Sequence, residues 1–111
     1  QTCALPIYYT DDEGVTTSVA VTVASAGKNP SVAINPIGKR IVLYTNSTAL
    51  YRVVYDPMGN VITSSSAIVA SGVADAPTAI GWRLDKWYAF YRDSTNALIQ
   101  ITSSDDGETW A

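Results

Sequence analysis

The chain has no histidine, one cysteine, one methionine and one phenylalanine, and only 15% of its 111 residues are charged. Without histidine, the commonest general base and the commonest zinc ligand are missing. A single thiol, Cys3, allows neither an internal disulfide nor a thiolate cage. No cofactor and no metal centre is expected. No window is long and apolar enough to cross a bilayer as a helix, and no basic region followed by an apolar stretch opens the chain. The seven basic residues are scattered, with Lys39-Arg40 the only adjacent pair, so no nucleic-acid partner is expected. Helical patterning is also missing. No stretch keeps a 3.6-residue apolar period for two turns without glycine, proline or a β-branched cluster.

What remains is a β-leaning composition. Hydrophobic residues make up 47% of the chain, rich in Val, Ile, Ala and Tyr, with many Ser and Thr. That is enough apolar material for a core and too little charge for disorder. The formal net charge is −3, but six of the ten acids, Asp11, Asp12, Glu13, Asp105, Asp106 and Glu108, sit in two turn-like motifs. The opening residues are atypical. Gln1-Thr2-Cys3-Ala4-Leu5-Pro6-Ile7 resembles the translation of a sequencing-library adapter, so residues 1–7 are expected to be an assembly scar on a sequence from environmental reads. The alternative is a genuine strand ending in Pro6-Ile7-Tyr8-Tyr9. As a scar, Cys3 carries no information on redox compartment.

An internal period is the most informative feature. Pro30 recurs as Pro77 and Ile41-Val42-Leu43-Tyr44 as Tyr88-Ala89-Phe90-Tyr91, both at an offset of 47. Ser47-Thr48-Ala49-Leu50 is echoed by Ser94-Thr95-Asn96-Ala97-Leu98 with one insertion, and Val23-Ala24-Ser25 by Val69-Ala70-Ser71 at 46. Each repeat reads as four short strands separated by polar turns. In the last repeat, strands are expected at 77–82, 87–91 and 97–102, with a turn at 83–86. On the third strand of the middle repeat, Leu50, Arg52 and Val54 alternate with Tyr51, Val53 and Tyr55, which predicts one face more polar than the other. The fourth strand, 61–69, carries Ser64-Ser65-Ser66, the mark of a bulge or an exposed edge.

Four-stranded units with a period in the forties predict a β-propeller, in which sheets stack face to face around a channel. Six such blades need roughly 280 residues. The chain is therefore expected to be a piece of a larger ring: residues 8–27 the last two strands of one blade, 28–72 a complete blade, 73–111 the first three strands of the next. Cut from its ring, such a piece exposes a blade face and unpaired edges, and is expected to self-associate.

The run Ser103-x-Asp105-x-Gly107-x-Thr109-Trp110 resembles the Asp-box found in sialidases and related propellers at every defining position. Thr10-x-Asp12-x-Gly14-x-Thr16 is a second copy, with Thr17 in place of the aromatic residue. The middle copy keeps Gly59 but has Tyr55, Pro57 and Val61 at the polar positions. Glycines 14, 59 and 107 lie 45 and 48 apart, matching the repeat within an indel. The chemistry fits a tight connection between third and fourth strands. Gly107 takes a positive φ, Asp105 accepts from backbone N–H groups, the Ser103 and Thr109 hydroxyls add local bonds, and Trp110 buries its ring between sheets. A calcium-binding or catalytic role for Asp105, Asp106 and Glu108 is the lesser alternative. The resemblance implies that Asp-boxes are structural and lie on the face away from the ligand.

By the same resemblance, ligand-binding residues belong to the opposite loops: 26–29 and 72–75, with the turns 45–48 and 92–96. Asp75, Arg92 and Asp93 are the candidates there, an arginine to grip a carboxylate and aspartates as acid or base. The alternative for either aspartate is an ordinary turn residue. Trp82 and Trp87 flank the turn at 83–86, where packing is favoured over a stacking platform for sugar. The Phe/Tyr-Arg-Ile-Pro motif, a three-arginine cluster and a Tyr–Glu pair, which a sialidase needs, are not found in this stretch. The function expected is therefore that of an extracellular, cell-surface or phage-particle propeller binding a glycan or protein, completed by other blades of the same protein. The alternative is a section of a sialidase-type glycoside hydrolase.

Overall fold

The computed structural model describes Pro6, Ile7 and residues 21–111. The first Asp-box copy, Thr10, Asp12, Gly14 and Thr16, lies outside the described residues, as do most of the expected scar and of the strands placed at 8–27. The described residues form nine strands and no helix: β1 (Pro6–Ile7), β2 (Val21–Thr22), β3 (Lys28–Ile34), β4 (Arg40–Asn46), β5 (Ala49–Tyr55), β6 (Val61–Val69), β7 (Ala79–Arg83), β8 (Lys86–Arg92) and β9 (Leu98–Ser103). β1 pairs with β2, while β3-β4-β5-β6 and β7-β8-β9 form antiparallel meanders of four and three strands. The strand at 61–69 falls as expected. Those of the last repeat shift by up to two residues, within the ordinary uncertainty of element ends.

Turn chemistry explains the meanders. Asn35–Lys39, Asp56–Asn60 and Asp93–Ala97 are three versions of one five-residue connection. In each, the two end residues pair through the backbone and the fourth residue, Gly38, Gly59 or Asn96, has a φ of +94°, +90° or +74°. This is a type I turn closed by a left-handed residue, a common hairpin link. An Asx side chain caps each one. Asn35 accepts from Lys39 N at 2.9 Å, Asp56 from Met58 N and Asn60 N at 2.9 and 2.8 Å, and Asp93 from Thr95 N and Ala97 N at 2.9 Å. The β7–β8 link is tighter, with Leu84 and Asp85 both left-handed at φ +51° and +65°. Leucine is a poor residue for that conformation and is 76% exposed here. Leu84→Asn is expected to raise stability by about 0.5–1 kcal/mol, seen as a higher thermal midpoint.

The two meanders stack. Ile41 and Leu43 of β4, with Leu50 and Val54 of β5, meet Trp87, Ala89 and Tyr91 of β8, and Ile80, Ile101 and Trp110 close the layer. The other face of the first sheet is also covered: Val42, Tyr44, Val53 and Tyr55 pack with Val23, Ala24 and Tyr51. Tyr44 and Tyr51 are cross-strand partners whose rings stack 5.3 Å apart. The central strands are thus buried on both sides, which is why they read as near-continuous apolar runs. β6 is mostly exposed and pairs with β5 through register shifts, in keeping with its serine run.

The repeat fixes how the sheets face. At the offset of 47, Val42 and Tyr44 correspond to Ala89 and Tyr91. Val42 and Tyr44 lie on the side of their sheet turned from the second meander, whereas Ala89 and Tyr91 lie on the side turned to the first. Equivalent residues therefore point the same way, and the sheets stack face to back. A two-fold sandwich would point them at each other. The first strands, β3 and β7, run close together. Just ahead of β7, Thr78 shares a hydrogen bond of 2.8 Å with its repeat equivalent Ser31.

Of the two alternating sets on β5, the one bearing Arg52 lies in the layer between the sheets, where Arg52 is 5% exposed. The outward face of the second meander is the open one. Tyr88 and Phe90 are half-buried there and Leu98 is 76% exposed. Self-association through this face is the expected result in sedimentation; a monodisperse monomer would contradict it.

Candidate functional site

Connections between strands gather at two rims. One carries the β4–β5 turn, the β8–β9 turn and the segment from Gly72 to Asp75. The other carries the β3–β4, β5–β6 and β7–β8 turns and the Asp-box.

The turn from Ser103 to Trp110, which resembles an Asp-box in sequence, is a closed hydrogen-bonded unit. The Ser103 hydroxyl donates to Asp105 Oδ1 at 2.8 Å and accepts from Gly107 N at 2.9 Å. Asp105 accepts from Thr109 N at 2.9 Å and from the Thr109 hydroxyl. Trp110 Nε1 donates to Gly107 O at 2.9 Å, and its ring packs into the layer between the sheets. Beyond the turn, Ala111 and Thr102 exchange both backbone hydrogen bonds, bringing the chain back antiparallel beside β9. These contacts involve all five of Ser103, Asp105, Gly107, Thr109 and Trp110. In the middle repeat, Asp56 caps the turn from a neighbouring position, although Pro57 stands where the motif has its aspartate.

The donors around Asp105, led by the Thr109 hydroxyl, lower its pKa from 3.8 to about 2. A depressed folded-state value stabilises the fold above 3.8 and is lost as the pH falls toward about 2. Thermal midpoints are expected to drop across that window, and Asp105→Asn to make the drop shallower. An unchanged slope in the variant would contradict this role.

On the opposite rim, Ala26, Gly27, Lys28, Thr45, Asn46, Ser47 and Asp75 line an open polar cavity of about 250 Å³. Asp75 accepts from Asn29 Nδ2 at 2.9 Å and pairs with Lys28 Nζ at 3.2 Å. Its pKa is lowered, first by Asn29 and then by Lys28. Asn29 has a φ of +55° although Pro30 follows it, a conformation that sterics disfavour. The neighbours hold it there. Its amide also donates to Thr45 Oγ1 at 2.8 Å, and its carbonyl accepts from Thr78 Oγ1 at 2.7 Å. Strained residues fixed in this way recur at binding sites. Ser47, with a φ of +58°, is a second left-handed residue in the lining.

The three residues singled out from the sequence share this rim but not one constellation. Val73 lies opposite Asp93 in an antiparallel bridge, bonded through Ala74 N to Arg92 O and Ser94 N to Gly72 O, both at 2.9 Å, and it donates to Thr48 O at 3.0 Å. Arg92 extends to Asn96 Oδ1 at 3.5 Å, within its own turn. Asp93 spends its carboxylate on Thr95 and Ala97, and those donors, led by the Thr95 hydroxyl, lower its pKa. Asp75 faces the cavity with Lys28 and Asn29. These two partners lay in a loop that the sequence placed on this rim, but nothing in their spacing marked them. The available signal was Asn before Pro at a strand start, which foretells a constrained turn.

Arg52 has a different role. Arg52 Nε donates to Gly107 O at 2.6 Å, and its terminal nitrogens reach Glu108 O at 3.2 Å, Ser64 O at 3.3 Å and the Ser66 hydroxyl. It clamps the Asp-box of one sheet onto the neighbouring sheet. Among the described residues, no group of three or more His, Cys, Asp or Glu side chains is placed to hold a metal, and no helix is long and apolar enough to cross a membrane. No protein-family model, curated protein or solved structure matches the chain.

Proposed function

We propose that the chain forms about two blades of an Asp-box β-propeller that binds a glycan or protein ligand at the rim opposite the Asp-box, as a secreted or surface module completed by other blades. The observation that carries the blade reading is the face-to-back stacking of repeat-equivalent strands, with Ser31 and Thr78 joined at the inner edge. An arrangement in which every sheet presents the same face to its predecessor extends by adding units and closes as a ring. The ligand reading rests on the cavity at Asp75, polar, open and held by a strained Asn29. Its Lys28, Asp75 and Asn46 side chains offer donors and acceptors suited to sugar hydroxyls or a peptide backbone. Arg92 does not form part of a carboxylate clamp with Asp75 and Asp93, so binding without catalysis is favoured over a sialidase-type hydrolase.

Binding to an array of glycans, neutral and sialylated, tests the reading. Asp75→Ala and Lys28→Ala are expected to weaken binding of a ligand held in this cavity roughly tenfold, about 1.4 kcal/mol. An array in which neither variant weakens any hit would overturn the assignment of this cavity. Turnover of a fluorogenic sialoside by the chain would favour the hydrolase instead.

A further inference from the structure

The Asp-box rim carries a second cavity, larger than the first. It occupies about 440 Å³ between the β3–β4 turn, the end of β7 and the Asp-box, and Asn35, Ile37, Trp82, Asp85, Ser104 and Asp106 contribute to its lining. The two tryptophans flanking the β7–β8 turn part company here. Trp87 is 1% exposed and wholly a core residue. Trp82 is only half-buried: it packs against the layer between the sheets and also lines the cleft. Ile37, 67% exposed, supplies a second apolar surface in the lining.

The polar groups are of two kinds. Some are already committed. Asp106 is held by Lys39 Nζ at 2.9 Å and by Trp87 Nε1 at 3.5 Å, so its charge is paired and its carboxylate fixed in place. Asn35 is 8% exposed, and its Oδ1 accepts from Lys39 N at 2.9 Å. Others are uncommitted. Among the described residues, no acceptor meets the Asn35 side-chain NH₂, and no donor meets the Asp85 carboxylate. The Asn35 amide, an exposed carboxylate at Asp85 and the Ser104 hydroxyl thus lie around one indole.

We infer that this cleft is a binding site for a neutral saccharide, separate from the cavity at Asp75 and independent of the ligand proposed there. A pyranose presents an apolar C–H face and an equatorial ring of hydroxyls. The first suits the Trp82 indole, and the second suits the donor of Asn35 and the acceptor of Asp85. The volume falls within the range of about 300–1,000 Å³ that small-molecule sites occupy. Two carboxylates in the lining disfavour an anionic sugar. A quaternary cation is the less suited ligand: a single indole makes no aromatic cage, and Lys39 already neutralises Asp106.

Affinity electrophoresis of the whole chain tests the inference, using native gels that contain galactomannan, hydroxyethylcellulose, dextran or, as the anionic control, polygalacturonate. The rim cleft stays accessible even if copies associate through their open sheet faces. Retardation is expected in at least one neutral gel and not in polygalacturonate, with competing choline without effect. Trp82→Ala should abolish it, Trp82→Phe keep part of it, and Asp75→Ala leave it unchanged. Asp85→Ala alters an exposed turn residue, so it keeps the test decisive should Trp82→Ala fail to fold. It should weaken retardation roughly five- to tenfold at an unchanged thermal midpoint. The inference is overturned by mobility unaffected in every neutral gel, by full retardation in a folded Trp82→Ala or Asp85→Ala protein, by choline competition, or by loss of binding in Asp75→Ala. The last result would place the sugar on the opposite rim, in the site of the proposed function.

Discussion

Replacing Arg52 by methionine is expected to lower the folding free energy by about 1–2 kcal/mol. The side chain is 5% exposed and its partners are the carbonyls of Gly107, Glu108 and Ser64 with the Ser66 hydroxyl. Apolar replacement of a buried ion pair is often neutral because both charges leave together. Here the acceptors are backbone and stay behind. Methionine fills much of the volume but leaves the part-buried Glu108 and Ser64 carbonyls without their donor, while the buried Gly107 carbonyl keeps Trp110 Nε1 at 2.9 Å. Arg52→Lys keeps the charge but not the fork that spans two consecutive carbonyls, so it should recover only part of the loss. Denaturant midpoints for the two variants measure this. A methionine variant within about 0.5 kcal/mol of the parent would show that the clamp contributes little.

Gly107→Ala is expected to destabilise by about 2–4 kcal/mol, against about 1 kcal/mol for Gly59→Ala. The two glycines have nearly the same φ, +89° and +90°, so both variants carry the left-handed penalty. They differ in surroundings. A Cβ at Gly59 meets nothing within 4 Å, whereas one at Gly107 falls 2.6 Å from Ile41 Cδ1 and 3.1 Å from Val54 Cγ2. Ile41 and Val54 are 0% and 1% exposed and packed against Trp87, so they have little room to yield. The difference between the variants isolates the close approach of the turn to the neighbouring sheet. Equal thermal midpoints for the two would contradict it.

These two residues show what a motif conveys and what it omits. The Asp-box spacing foretold a capped turn with a left-handed glycine, and the bonds among Ser103, Asp105, Gly107 and Thr109 follow from residue type alone. Nothing in the motif says that Ile41 and Val54 press on the glycine from another repeat, or that an arginine fifty-five residues earlier binds its carbonyl. The burial of Arg52 was not legible because alternation along one strand tells which residues share a face, not whether a second sheet covers that face. Burial on both sides is a property of stacking.

The candidate site divides in the same way. Loops 26–29, 45–48, 72–75 and 92–96 were placed on one rim by the resemblance to Asp-box propellers, and the cavity at Asp75 is built from three of them. Which aspartate faces the cavity was decided by geometry. Asp93 lies in a five-residue turn whose own N–H groups claim its carboxylate. Asp75 lies in a longer connection with no such local donors, so Lys28 and Asn29 of the preceding repeat reach it instead. Trp82 and Trp87 are cross-strand partners on one hairpin, yet only the outer one lines a cleft.

By itself the sequence determined the all-β class, the 47-residue repeat, the positions of the turns and the chemistry of the Asp-box, because short-range sterics and local hydrogen bonds set all of these. Tertiary structure alone decided the face-to-back order of the sheets, the burial of Arg52, the strain at Asn29 and the two rim cavities. Each of those depends on side chains from different repeats meeting in space, and that meeting is fixed by the stacking of one sheet on the next.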